Sequence, residues 1–169
     1  LIFWVYFIIK RQKQPPGLFS STMDKILARD LNRSRVTLKN NILIIGCGLL
    51  GSSLLRRIHK KKIVSKIFIY EKSKKSINKF KKLKLPGTLI KRPEDVVSQS
   101  KLIIICTPMS EYKKIILKMN KSFQSKNIIT DVGSSKLKSL EIVNKNLKKG
   151  IFWSSSHPIA GSEVSGPEN

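Results

Sequence analysis

An apolar run that ends in three regularly spaced glycines constrains the fold of this chain more than any other feature. Residues 41–53 read NILIIGCGLLGSS, with Gly46, Gly48 and Gly51 at G-x-G-x-x-G spacing. The pattern predicts a buried strand, a tight turn at Gly46, close ligand approach at Gly48 and close helix packing at Gly51. A helix that begins near Leu49 would point its free N–H groups at a dinucleotide's phosphates, without a basic side chain.

An acidic residue follows at the distance that a dinucleotide-binding fold requires. Residues 66–70 (KIFIY) predict a second strand, and Glu71 comes about 20 to 25 residues after the glycines. Its carboxylate could accept hydrogen bonds from both ribose hydroxyls of an adenosine and repel a 2′-phosphate, which favours NAD over NADP. Lys72, Lys74 and Lys75 could offset that repulsion, so NADP stays possible. A turn that binds no ligand and a solvated strand-end acid are the simpler alternatives.

The rest of the chain alternates strand and helix patterns, which is typical of an α/β, doubly wound parallel (Rossmann) sheet. The predicted strands begin at Ile42 and cover residues 66–70, 88–90, 101–106, 127–130 and 151–153. The predicted helices run from Leu49 to about Lys60, from Ser73 to about Leu83, from Pro93, from Ser110 to about Asn120, and from Ser134 or Ser135 to near Lys149. A short helix over residues 23–32, capped by Thr22, precedes them.

Composition limits the chain to one sizeable core. With 169 residues and 40% hydrophobic content, we expect a dinucleotide-binding domain over residues 40–169 and an N-terminal extension over residues 1–39. The extension opens with nine apolar residues, too few for the roughly 20 that span a bilayer. We interpret it either as the end of a segment whose start is missing or as upstream sequence outside the working protein, and assign it no function.

Charge and cysteine content narrow the possible partners. The 34 Lys and Arg against 10 Asp and Glu give a net charge of +24. The lysines are scattered along predicted helices without interleaved aromatics, so we expect solvated faces and neither a nucleic-acid nor a membrane partner. Cys47 and Cys106 form no metal-ligand pair, which predicts small buried thiols in a reducing cytoplasm and no bound metal.

The unusual residues fall just past the ends of predicted strands. Parallel strands place their carboxyl ends along one edge, so five distant segments are expected to line one crevice. These segments are Gly46–Gly51, Glu71, Thr107 with Pro108, Asp131–Lys136, and His157.

Four of these stretches also carry a family resemblance. GCGLLGSS, ICTPMSEY, ITDVGSSK and SSHPIAGSEVSG, in this order and spacing, resemble the prephenate and arogenate (cyclohexadienyl) dehydrogenases over about residues 41–166. The resemblance implies NAD-dependent oxidative decarboxylation of prephenate or arogenate in tyrosine biosynthesis. It also implies a homodimer formed through a helical C-terminal domain. Because the chain ends at Asn169, before that domain, we expect a fragment that binds cofactor with little or no turnover.

The resemblance assigns roles to individual residues. His157 would be the general base, because a neutral imidazole suits proton transfer near neutral pH, and Ser134 would bind the reacting hydroxyl or orient that imidazole. Glu163 would lie at the substrate mouth. A structural histidine, a helix N-cap serine and a solvated loop acid are the corresponding alternatives. The expected cofactor-binding residues are Gly46, Gly48, Leu49, Leu50, Gly51, Glu71, Thr107, Pro108 and Asp131, with Thr107 and Pro108 on the nicotinamide side.

Two other functions remain open at this point. Another Rossmann reductase or a β-hydroxyacid-type dehydrogenase would be indifferent to His157→Asn. A noncatalytic nucleotide-binding module would bind without turnover. The sequence does not decide between prephenate and arogenate.

Overall fold

Six parallel strands form one sheet in the computed structural model, which describes residues 38–62 and 64–156. The strands are β1 (Leu38–Ile45), β2 (Val64–Tyr70), β3 (Thr88–Ile90), β4 (Ser100–Ile105), β5 (Ile128–Asp131) and β6 (Phe152–Ser154). Their spatial order is β3-β2-β1-β4-β5-β6, and every neighbouring pair is parallel. This is the doubly wound order, so the predicted fold class is confirmed.

Helices connect the strands and cover both faces of the sheet. They are α1 (Leu49–Lys61), α2 (Lys74–Lys82), α3 (Glu94–Val97), α4 (Tyr112–Met119) and α5 (Lys136–Asn146), with a 3₁₀ turn at Met109–Glu111. In β1, Ile42 and Ile44 pack with α1 and α2, whereas Leu43 and Ile45 pack with α3 and α4. Because both faces are covered, β1 and β4 are apolar at successive positions rather than at alternate ones.

The start of α4 differs from the sequence prediction. Ser110 was expected to cap this helix, but it lies inside the 3₁₀ turn, where the Glu111 N–H donates to the Pro108 carbonyl at 3.0 Å. The helix proper begins at Tyr112. Ser110 is therefore not the cap, because the chain is already turning when it reaches this residue.

The end of α5 also differs. The helix ends at Asn146 and Leu147 is extended, although the sequence predicted a helix to near Lys149. The side chain of Asn120 accounts for this, since its amide donates to the Asn146 carbonyl at 2.7 Å and its oxygen accepts from the Lys148 N–H at 3.0 Å. A contact from the end of α4 therefore replaces the last helical turn.

The predicted helix over residues 23–32 lies outside the described residues. Within 38–62 and 64–156, no helix combines the length and the apolar character needed to cross a bilayer. The first strand of the described residues begins at Leu38.

We predict that Leu55→Ala in α1 lowers the free energy of unfolding by about 2–5 kcal/mol, because Leu55 is fully buried and its removal leaves a cavity. Leu117→Ala in α4 is the matched control. Its side chain is 51% exposed, so the loss should stay below about 1 kcal/mol. Urea unfolding followed by circular dichroism measures both, and equal losses would contradict the described packing of α1.

Candidate functional site

The glycine turn between β1 and α1 has the geometry that its spacing predicts. Gly46 has a φ of +94°, and a Cβ there would lie 2.9 Å from Thr107 Cγ2. A Cβ on Gly51 would lie 2.0 Å from the Gly46 carbonyl oxygen. A Cβ on Gly48, by contrast, would have no neighbour within 4 Å among the described residues. The fold itself therefore requires glycine at 46 and 51, and position 48 leaves open space.

The N-terminus of α1 presents free backbone donors beside that space. Gly48 is the N-cap, and the first helical hydrogen bond runs from the Ser52 N–H to the Gly48 carbonyl at 2.9 Å. The N–H groups of Leu49, Leu50 and Gly51 consequently have no carbonyl partner within the helix. The first turn has no acidic residue, so the positive end of the helix dipole is left for an anion.

The carboxylate of Glu71 joins the end of β2 to the glycine turn. Its Oε2 accepts from the Cys47 N–H at 2.7 Å, and its Oε1 accepts from the N–H groups of Lys72 and Ser73, both at 2.8 Å. The sequence suggested that this carboxylate would accept both ribose hydroxyls. A carboxylate offers about four acceptor positions. Backbone donors take three of them here, which leaves one on Oε2.

A cleft of about 560 Å³ lies beside Glu71, within the usual size range of ligand pockets. Gly46, the end of β2, the loop after β4 and α4 contribute to its lining. Thr107 lines it, and its Oγ1 is buried without a hydrogen-bond partner in the described part of the chain. The lining residues are Gly46, Tyr70, Glu71, Lys72, Ser73, Pro93, Thr107, Pro108, Glu111, Lys114, Ile115 and Lys118.

A second carboxylate organises the ends of β5 and β6. Asp131 is fully buried and accepts from the Tyr112 hydroxyl at 3.1 Å, the Gly133 N–H at 3.3 Å and the Ser156 N–H at 3.1 Å. The Ser156 hydroxyl also donates to the Asp131 carbonyl. Burial, together with the Asp131 charge, raises the pKa of Tyr112 well above its usual range, so the phenol remains a donor. These contacts hold the backbone just after β5 and just after β6 in place.

The sequence-predicted residues fall into four groups. Gly46, Glu71, Thr107 and Pro108 line the cleft, and Leu49 and Leu50 begin α1 beside it. Asp131 belongs to the buried network rather than to the cleft lining. Ser134 is exposed just before α5, whose N-cap position is Ser135, without a side-chain cap. His157 and Glu163 lie outside the described residues.

Sequence reasoning missed three residues that the structure brings to this edge. Tyr112 reads as an ordinary apolar position of α4, and Lys114 and Lys118 read as solvated lysines. Their i, i+4 spacing places the two lysines on one side of a helix. It does not indicate that this side lines a cleft with Glu71. By contrast, Lys74 and Lys75, which the sequence suggested could lie near the ribose, do not line the cleft.

Neither cysteine thiol has the lowered pKa that is typical of reactive cysteines. Cys47 is buried, and burial together with the nearby Glu71 charge raises its pKa to about 11. Burial, with Cys47 and Asp131 nearby, raises the pKa of Cys106 as well. Within the described ranges, no cluster of His, Cys, Asp and Glu could hold a metal ion.

Comparison with known proteins identifies a family that this chain resembles. The model of the prephenate dehydrogenase nucleotide-binding domain matches residues 53–169, a range that starts just after the glycine turn. The cyclohexadienyl dehydrogenase of Zymomonas mobilis is 29% identical over 133 residues, which cover 79% of this chain and 45% of that protein. The prephenate dehydrogenase of Bacillus subtilis is 29% identical over 133 residues, covering 76% of this chain and 35% of that protein.

Among solved structures, the prephenate dehydrogenase from A. aeolicus in complex with hydroxyphenyl propionate and NAD+ is similar with a TM-score of 0.61 and 25% identity. The match covers 76% of this chain and 45% of that one. The chain thus spans less than half the length of these relatives.

We predict that Gly51→Ala lowers the free energy of unfolding by about 1–3 kcal/mol, because its Cβ would clash with the Gly46 carbonyl oxygen. Gly48→Ala should change it by less than about 1 kcal/mol, since its Cβ enters open space. Urea denaturation of the two variants checks this. A Gly51→Ala protein as stable as Gly48→Ala would be inconsistent with the described turn.

We also predict an alkaline loss of stability that depends on Cys47. Folding raises the pKa of this thiol from its ordinary 9.0 to about 11, so its stabilising contribution is complete below about pH 9 and is lost as the pH rises to about 11. The free energy of unfolding of the wild type, measured with a reductant present, should therefore fall more steeply over this interval than that of Cys47→Ala. If the free energies of unfolding of the two proteins fell equally with pH, Cys47 would contribute nothing to the alkaline loss of stability.

Proposed function

Because this chain belongs to the prephenate dehydrogenase family, through the nucleotide-binding domain that residues 53–169 match, we propose that it is the NAD-binding part of a dehydrogenase. The reaction is the oxidative decarboxylation of prephenate or arogenate in tyrosine biosynthesis. The observation that carries the proposal is the open backbone at Gly48 beside the free N–H groups of α1. That turn lies before the residues that the family model matches, so it supports the proposal separately.

The residues around the turn fit a dinucleotide. The N–H groups of Leu49, Leu50 and Gly51 bind the pyrophosphate, and the missing side chain at Gly48 lets it approach the backbone. The remaining acceptor position on Glu71 Oε2 takes a ribose hydroxyl. The buried Thr107 Oγ1, which has no hydrogen-bond partner in the described part of the chain, supplies a further polar contact next to Pro108.

The chemistry is assigned to Ser134 and His157. When bound, the nicotinamide supplies the hydride acceptor. The His157 imidazole takes the proton of the substrate hydroxyl, and the Ser134 hydroxyl binds that same oxygen or orients the imidazole. By the same family resemblance, we propose that Glu163 screens the anionic substrate. The chain neighbours of Ser134 and His157 support this assignment. Asp131 accepts hydrogen bonds from Gly133, which precedes Ser134, and from Ser156, which precedes His157.

Asp131 therefore has a positioning role in this proposal. It is fully buried and acts through the backbone groups it binds rather than on the ligand itself. The part of the family's chain that the nucleotide-binding domain does not cover is proposed to form the homodimer and to complete the substrate pocket.

The binding part of the proposal is tested on the 169-residue chain. Calorimetric titration with NAD should give saturable binding, and Gly48→Ala should weaken it at least about tenfold because its Cβ occupies the space that the pyrophosphate needs. Thermal melting of both proteins separates this effect from unfolding. A Gly48→Ala chain that binds NAD as well as the wild type does would contradict the proposed site.

Turnover is tested on the full-length gene product. NADH formation should appear with prephenate or with arogenate, and His157→Asn should reduce kcat at least about a hundredfold while NAD binding persists. Activity with neither substrate would refute the assignment. Unchanged activity in His157→Asn would indicate another class of Rossmann dehydrogenase.

A further inference from the structure

A buried phenol from α4 takes part in the network at the ends of β5 and β6. Tyr112 is fully buried, and its hydroxyl donates to Asp131 Oδ2 at 3.1 Å. The same oxygen accepts from the Gly133 N–H at 3.3 Å, whereas Oδ1 accepts from the Ser156 N–H at 3.1 Å. The two carboxylate oxygens therefore hold different segments, and the hydroxyl shares Oδ2 with the loop after β5.

The Tyr112 hydroxyl restricts the orientation of this carboxylate. The last torsion of an aspartate side chain has a broad preference, so hydrogen bonds decide where its two oxygens lie. Rotation about that torsion would move both oxygens and would weaken the bonds to Gly133 and to Ser156 together. Of the two donors on Oδ2, the hydroxyl is the closer, at 3.1 Å against 3.3 Å. Its loss would therefore release the carboxylate more than the loss of the Gly133 bond would.

The phenol also packs against the chain on both sides of the carboxylate. A Cβ on Gly133 would lie 2.9 Å from the Tyr112 hydroxyl oxygen, so no side chain fits between them. The ring meets Trp153 of β6 edge-on, with the ring centroids 6.5 Å apart. The Trp153 indole N–H donates to Ser155 Oγ at 2.9 Å. Tyr112 thus contacts the loop after β5 directly and the segment after β6 through Trp153.

Tyr112 makes these contacts from a helix whose other side lines the cleft. Glu111, just before Tyr112, and Lys114, Ile115 and Lys118 of α4 are lining residues, whereas Tyr112 is not. Substitutions of the phenol should therefore alter the network at Asp131 and leave the cleft itself unchanged.

On the premise of the proposed dehydrogenase function, we propose that Tyr112 is a positioning residue for Ser134 and His157. Its hydroxyl fixes the Asp131 carboxylate, and the carboxylate fixes the backbone directly before each of these two residues. Both residues are assigned to the same substrate oxygen, so their separation must be held closely for the reaction to proceed. The phenol itself neither touches the substrate nor exchanges a proton with it.

Tyr112→Phe tests the hydroxyl alone, because it keeps the ring and its contact with Trp153. In the full-length gene product, kcat with prephenate or arogenate should fall about tenfold, since misplaced groups react slowly. The NAD affinity of the 169-residue chain should change less than about twofold, because Tyr112 does not line the cleft. Ser100→Ala is the matched control. It removes another buried hydroxyl, which donates to the Val96 carbonyl at 2.8 Å, and should leave kcat unchanged.

A double mutant separates action through Asp131 from a general loss of packing. Asp131→Asn should itself lower kcat, and adding Tyr112→Phe should lower it less than about twofold further, because the carboxylate that the hydroxyl orients is already gone. Two losses that simply multiply would contradict the proposed route. Burial and the Asp131 charge raise the pKa of Tyr112 well above its usual range, so the loss in Tyr112→Phe should not vary with pH. A loss that changed with pH would indicate proton transfer by the phenol and would overturn the positioning role.

Amide hydrogen exchange in the 169-residue chain gives a measurement that does not depend on turnover. Tyr112→Phe should speed exchange of the Gly133 and Ser156 amides at least about threefold, whereas Ser100→Ala should leave both rates unchanged. Unchanged exchange in Tyr112→Phe, or unchanged kcat in an active enzyme, would overturn the positioning role. A wild-type enzyme that is inactive with both substrates would instead contradict the proposed function, and the exchange rates would still decide whether Tyr112 holds the two segments.

Discussion

Two carboxylates hold the carboxyl edge of the sheet together, and the geometry of the site depends on them. Parallel pairing brings the strand ends to one edge, where the backbone leaves the sheet and its N–H groups need other partners. Glu71 binds such groups on the glycine turn and after β2, and Asp131 binds them on the loop after β5 and at Ser156. Each carboxylate fixes two segments that are far apart in sequence.

The two carboxylates have different surroundings and therefore different consequences. Asp131 is fully buried with a phenol and backbone donors, so it fixes the chain without facing a ligand. Glu71 faces a cleft that also contains three lysines, so it lies where a ligand can reach it.

Much of the fold could be predicted from local patterns. The continuous apolar runs of β1 and β4 predict buried parallel strands because both faces are covered, and the glycine spacing predicts the tight turn at Gly46, where φ is +94°. The errors lie at helix ends. Asn120 ends α5 at Asn146, and the 3₁₀ turn before α4 removes Ser110 from the cap position.

The sequence by itself determined the alternation of strands and helices, the glycine turn, and the segments that end at the carboxyl edge, since these follow from periodicity and backbone freedom. Only the tertiary structure decided which lysines share a cleft with Glu71 and that three backbone N–H groups already hold its carboxylate. It also joined Tyr112, Gly133 and Ser156 to Asp131. Such contacts join residues up to 25 positions apart and depend on how α4 lies across the sheet, which no local pattern encodes.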